Sequence, residues 1–197
     1  MINRDNIWFL IIGAIISFIS FGSIVYGNKL WYIPAVVGVW LIFDSLSSIK
    51  NKNTAIQIFW KDKKKFLKLI FSMFMLGCTI ELIGRFILNL WFYSPKPNIF
   101  IEFSILIGYI FILLSFREMY ELLGVFVKNR FTLMVLSIIL GIIIWEVPNL
   151  FISSWVYTIP YIHLEIFNIN IVVIFGWLIL IGFPVWICKE IIGRGAK

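Results

Sequence analysis

The sequence predicts an all-α polytopic membrane protein: one transmembrane domain, residues 1–197, with six transmembrane helices arranged as three helical hairpins. Three observations predict it. The chain is 61% hydrophobic and 14% charged, with a mean hydropathy of +1.00, whereas a soluble domain is about 45–50% apolar and about 25% charged. The apolar residues fall into six runs, each near or above the roughly twenty residues needed to cross hydrocarbon. The basic residues gather on alternate connections, as they do when one side of a membrane retains them.

The first run, Ile7 to Tyr26, exceeds a signal-peptide core and lacks a small-residue cleavage site, so it is expected to remain as a span. The second runs from Leu30 to Ser47. Residues 48–65 form a basic loop with Lys50, Lys52, Lys61, Lys63, Lys64 and Lys65. Its continuation into "AIQIFWKDKKKFLKLI" mixes Ile, Phe and Trp with lysines. That pattern fits either an interfacial helix or a solvated loop entering the next span. It has no arginine, and its aromatics suit a membrane boundary, so the charge of +7 reads as topology and lipid contact rather than nucleic-acid binding.

The third run is Phe66 to Tyr93 and the fourth Ile99 to Val127. The fifth is Phe131 to Tyr157 and the sixth Ile166 to Ile192. The hairpins therefore cover about residues 7–47, 66–127 and 131–192. Lys128, Arg130, Lys189, Arg194 and Lys197 share the side of the basic loop, and the opposite connections hold only Lys29 and Lys96. Positive charge marks the cytoplasmic side, which places both termini in the cytoplasm of a cell-membrane protein.

Each outer turn carries an aromatic–proline element: "LWYIP" at Leu30, "LWFYSPKP" at Leu90 and "SWVYTIP" at Ser154. Each returning helix then carries glycine followed by an aromatic residue, in "GVWLIF", "GYIFIL" and "GWLILI". The pattern is expected to reflect internal repetition, a common origin of membrane folds with a site between repeats.

Ionisable groups deep in a span are costly and mark function by default. Glu81 and Arg85 lie four residues apart, one turn along a helix face, and Asn89 continues that face outward. Glu146 sits in "WEVPN", where Pro148 removes a backbone hydrogen bond and Asn149 adds a polar group. Glu146 is expected to be neutral or to share Arg85 with Glu81. Asn168 and Asn170, with His163 and Glu165 before them, and Glu102 at the outer start of the fourth span share this outer level. The alternative is a buried network that holds helices together. Asp44, Arg117, Glu118, Glu121 and Glu190 read as boundary charges toward the cytoplasmic ends. Cys78 and Cys188, each within an apolar run, are expected to be unpaired.

A single histidine excludes haem held by two histidines, His-rich metal sites and multi-histidine quinone or chlorophyll ligation. No phosphate loop, nucleophile elbow or metal–diphosphate acid pair is present. Catalysis, if any, falls to Glu81, Glu146 and Glu102 as acid–base groups. The ligand-binding candidates are Arg85, Asn89, Trp91, Tyr93, Asn149, Trp155, Tyr157, Asn168 and Asn170. No metal and no cofactor are expected.

The stretch "WFYSPKPNIFIEF" followed by a long apolar helix resembles the small membrane lycopene cyclases and the related carotenoid hydratases. Trp91, Tyr93 and Glu102 fall in the order of that family's aromatic and acidic motif. The chain differs in having Phe103 in place of a second acid and no proline in the four residues before Glu102. The resemblance implies acid-initiated chemistry on an isoprenoid double bond, with aromatic rings stabilising positive charge.

These readings combine into an integral membrane protein that binds, and transforms by acid–base chemistry, an isoprenoid- or lipid-like molecule. The expected partners are membrane lipid, such a ligand, and other membrane proteins or a second copy. Two alternatives use the same residues: a non-catalytic subunit anchoring a larger complex, and a proton-coupled transporter.

Overall fold

A computed structural model describes residues 4–49, 53–159, 162, 164–166 and 169–192. Six of its helices are long and apolar enough to cross a membrane, and the chain is an integral membrane protein of the all-α class. Helix α1 (Arg4–Gly22) ends in a short 3₁₀ turn, and α2 (Tyr32–Ile49) follows. A short helix, α3 (Ala55–Lys61), precedes α4 (Lys63–Ile80), which continues as a wider π-helical turn over Glu81–Ile87. Strand β1 (Trp91–Tyr93) leads to α5 (Ile99–Leu123). Helix α6 (Arg130–Ile152), β2 (Trp155–Tyr157), the two-residue strands β3 (Glu165–Ile166) and β4 (Ile169–Asn170), and α7 (Ile171–Ile192) complete the chain.

Polar residues in the connections set several helix starts. Asp62 closes α3 and accepts from the Lys65 backbone N–H at 3.0 Å, so one residue ends one helix and starts the next. Asn98 caps α5 through the Ile101 N–H at 3.0 Å, and Asn129 caps α6 through the Phe131 and Thr132 N–H groups. Each cap satisfies a donor that has no partner within its own helix. The apolar runs therefore extend beyond the helices at several ends. The third and fifth end in strands, and α7 begins five residues after the expected Ile166.

Helices α1 and α2 touch backbone to backbone at Gly13 and Gly38. A Cβ on Gly13 would stand 2.8 Å from the Gly38 carbonyl oxygen, and one on Gly38 would stand 2.8 Å from the Ser17 nitrogen. Small residues permit such close approach in lipid, where packing rather than water expulsion holds helices together. Helix α5 is the hub: it packs on α2, α4, α6 and α7. The main core lies around it, with Trp31, Phe116, Trp145 and Trp177 all buried.

The short helix α3 is held from its N-terminal end. Glu118 Oε1 accepts from the Ala55 N–H at 3.2 Å, and Asp44 Oδ2 accepts from the Ile56 N–H at 3.2 Å. Asp44, Arg117 and Glu118, which the sequence suggested as boundary charges, are thus buried. Arg117 pairs with Glu118, and the two carboxylates serve a helix start elsewhere in the chain. Helix N-termini favour negative charge, which gives these acids an internal task. Asp44→Ala is expected to leave the partly buried Ile56 N–H without its acceptor, at a cost of about 1 kcal/mol. Faster trypsin cleavage within Lys61–Lys68, with a lowered melting midpoint, would register it; unchanged cleavage would show that α3 is held by its apolar face alone.

Candidate functional site

The site begins where α4 widens. Over Glu81–Ile87 the backbone adopts a π-helix, with the Leu88 N–H donating to the Ile83 carbonyl at 2.9 Å. Such turns are rare and often occur at functional sites. The extra residue per turn changes the expected stacking of Glu81, Arg85 and Asn89. Arg85 reaches across to the start of α5, where it forms a two-pronged pair with Glu102 at 2.7 and 2.6 Å. Glu81 Oε2 lies farther from it, at 3.5 Å. Arg85 also sits 4.9 Å from the Phe86 ring centre and 5.0 Å from that of Tyr93.

The carboxylate that shares Arg85 with Glu81 is therefore Glu102, not Glu146. Nor does Asn89 extend the stripe. It takes a left-handed conformation with φ of 52°, is exposed, and uses its backbone carbonyl to accept from the Thr158 hydroxyl at 2.6 Å. The π turn ends before it, and its residue type tolerates positive φ.

The turns that follow the third and fifth apolar runs zip together. Strands β1 and β2 pair antiparallel, Trp91 opposite Tyr157 and Tyr93 opposite Trp155. The Ser94 N–H to Ser154 carbonyl and Thr158 N–H to Leu90 carbonyl bonds, both 2.8 Å, extend the ribbon. Alternation along a strand sends side chains to opposite faces. Trp91, Tyr93, Trp155 and Tyr157 consequently face a cavity beneath the ribbon, and Phe92 is exposed on the other side. A Cβ on Gly84 would meet the far edge of the Trp91 indole, so a larger residue there would push that ring from its place.

Each ribbon tyrosine donates to a buried glutamate. Tyr93 donates to Glu81 Oε1 at 2.6 Å, and Tyr109 from α5 donates to the same oxygen at 2.8 Å. Tyr157 donates to Glu146 Oε1 at 2.8 Å. The Trp155 indole N–H is shared between the Tyr157 hydroxyl at 3.1 Å and Glu146 Oε2 at 3.4 Å. Burial, reinforced by the neighbouring groups, holds the Tyr93 and Tyr157 phenols well above their ordinary pKa. Both therefore stay protonated donors at neutral pH.

The cavity has a volume of about 540 Å³ and lies among α2, α4, α5, α6 and α7 under the ribbon. Its walls are almost wholly apolar, enriched in aromatic rings from Tyr32, Trp145 and Trp177 besides the ribbon residues. Trp31 backs them, 6.0 Å from Trp145 and 6.1 Å from Trp155 between ring centres, and its indole donates to the Ser154 hydroxyl at 3.0 Å. Glu146 is on the wall. Glu81 stands behind Tyr93 and Tyr109, with Arg85 and Glu102 farther back. On one side Ile83, Leu88, Ile179 and Phe183 line the cavity while being about half exposed. The cavity thus opens between the π turn and α7 toward the lipid-facing surface.

The asparagines have other tasks. Asn149 clamps β2, donating to the Trp155 carbonyl at 2.8 Å and accepting from the Trp155 N–H at 3.0 Å. Asn170 accepts from the Val172 N–H at 2.9 Å at the start of α7 and donates to the Ile162 carbonyl at 2.6 Å. Both hold backbone and neither lines the cavity. Asn168 and His163 lie outside the described residues, and Glu165 is exposed in β3. Cys78 and Cys188 are free thiols, Cys188 buried and Cys78 partly so.

Sequence reasoning missed Tyr109, Trp145 and Trp177 as wall residues. A signal was present for two of them: the glycine–aromatic pairs Gly108–Tyr109 and Gly176–Trp177. Each ring packs on a glycine of a preceding helix. A Cβ on Gly77 would lie 2.8 Å from Tyr109 Cγ, and one on Gly141 would lie 2.9 Å from Trp177 Cε3. Comparison of the chain with protein-family models, with known proteins and with solved structures gave no match.

Proposed function

We propose that the protein binds an isoprenoid- or lipid-like small molecule in this chamber, and that Glu146 acts on it as the acid–base or charge-stabilising group. The observation that carries the reading is an apolar chamber of about 540 Å³ with one buried carboxylate on its wall, open sideways toward lipid. Ligand sites typically measure about 300–1,000 Å³ and combine apolar walls with few polar groups. The Trp145 indole N–H, buried and without a hydrogen-bond partner among the described residues, offers a further donor.

In this reading the catalytic candidates divide. Glu146 faces the ligand, whereas Glu81 and Glu102, bound to Arg85, position Tyr93 and Tyr109. The α4–β1–α5 and α6–β2–α7 segments act as two repeats. Gly77, Glu81, Tyr93 and Tyr109 in the first correspond to Gly141, Glu146, Tyr157 and Trp177 in the second. With basic loops on the cytoplasmic side, the chamber lies in the outer half of the cell membrane and both termini lie inside. The likeness of "WFYSPKPNIFIEF" to lycopene-cyclase-type proteins agrees with a chamber that receives a polyisoprenoid.

The test is native mass spectrometry of protein extracted in mild detergent, comparing wild type with Glu146→Gln and with Glu81→Gln/Glu146→Gln. The wild type is expected to carry a small apolar molecule. Occupancy should fall about tenfold or more in either variant, with both remaining monodisperse. Equal occupancy in folded variants would defeat the assignment of Glu146.

A further inference from the structure

Glu81 and Glu146 occupy matching places but differ in charge balance. Glu81 has Arg85 at 3.5 Å, and Arg85 is already committed to Glu102. Among the described residues, no lysine or arginine pairs with Glu146. Its two oxygens meet a phenol and an indole, both neutral donors. Both oxygens accept from neutral donors, so the only charge this acid can bring to the chamber is negative. A buried carboxylate without countercharge is unfavourable, so the site favours an occupant that supplies one. Its surroundings suit that occupant: Trp91, Trp145, Trp155 and Trp177 line the same chamber, and aromatic faces attract cations.

We propose that the chamber's ligand is an amphiphile with a positively charged head, a protonated amine or quaternary ammonium seated against Glu146. Its apolar chain leaves between Ile83 and Leu88 on one side and Ile179 and Phe183 on the other. Phe183 lies twelve residues into α7, roughly 18 Å along the helix, so the opening reaches from the outer ribbon to mid-membrane. The proposal rests on the reading of the chamber as a ligand site and adds the charge of what it takes.

The experiment compares three probes of equal chain length that differ only in the head: N,N-dimethyldodecylamine, dodecan-1-ol and dodecanoate. Binding is followed by tryptophan fluorescence of the full chain in nanodiscs of an uncharged glycolipid, with empty nanodiscs subtracted. The amine is expected to bind about tenfold more tightly than the alcohol, with dodecanoate weakest. In Glu146→Gln the preference for amine over alcohol should vanish. The wild-type comparison needs no variant, so the proposal stays testable if Glu146→Gln does not fold. Equal binding of amine and alcohol to wild type would overturn the charge preference and leave the chamber intact. A preference that persists in Glu146→Gln would overturn Glu146 as its source. No binding of any probe would overturn the chamber reading and this proposal with it.

Discussion

Arg85→Met is expected to lower stability by about 3–5 kcal/mol, the usual cost of removing one partner from a buried charge group. Arg85 is the sole cation of a group holding two carboxylates among the described residues, Glu81 almost wholly buried and Glu102 partly exposed. Without the guanidinium, Glu81 is left with two tyrosine hydroxyls and no countercharge, and the ring contacts to Phe86 and Tyr93 lose their cation. A thermal melt in detergent measures the loss. The double variant Arg85→Met/Glu102→Leu separates the causes, because exchanging an ion pair for apolar groups is often near neutral. It should recover at least part of the loss. No recovery would mean that the Glu81 contact and the ring packing carry the whole effect.

Gly77→Ala is expected to be the more damaging of two nominally identical substitutions. A Cβ at position 77 would strike Tyr109 at its Cβ and Cγ, close to the α5 backbone, where the side chain cannot swing aside. The helices must separate or Tyr109 must leave its place, and overpacking of this kind costs about 1–3 kcal/mol. Tyr109 is also a donor to Glu81, so the same change loosens the support of the chamber. Gly182→Ala, on α7 with open space around the new methyl, should be neutral or slightly stabilising, since alanine favours helix by up to about 1 kcal/mol. Melting midpoints of the two variants check this directly. Equal midpoints would show that α4 and α5 can separate without cost.

Much of the fold was legible because it rests on local properties. Each apolar run corresponds to a spanning helix, with ends that differ by about six residues at most, and Asn98 and Asn129 stand where caps are needed. The candidate site was legible in its chemistry and less so in its connections. Glu81, Arg85, Glu102 and Glu146 were found because charge inside a hydrophobic run is conspicuous. Trp91, Tyr93, Trp155 and Tyr157 were found through the turn motifs. Asn149 and Asn170 looked like site residues for the same reason, polarity at the right depth, yet each satisfies backbone groups instead. An asparagine amide serves a ligand or a loop equally well, and the residue type does not say which.

The sequence by itself determined that this chain resides in a membrane, where its spans lie, and that it carries acids at costly depth. Transfer from water to lipid adds up residue by residue, so composition along a short window suffices. Only the tertiary structure decided that Arg85 serves Glu102, that β1 and β2 join above one chamber, and that Glu146 alone of the three candidate acids meets the cavity. Those outcomes depend on a π turn that shifts side chains around the helix, and on contacts between segments distant in the chain. Hydrogen bonds and ion pairs act over about 3 Å, a scale set by how helices pack rather than by the order of residues along them.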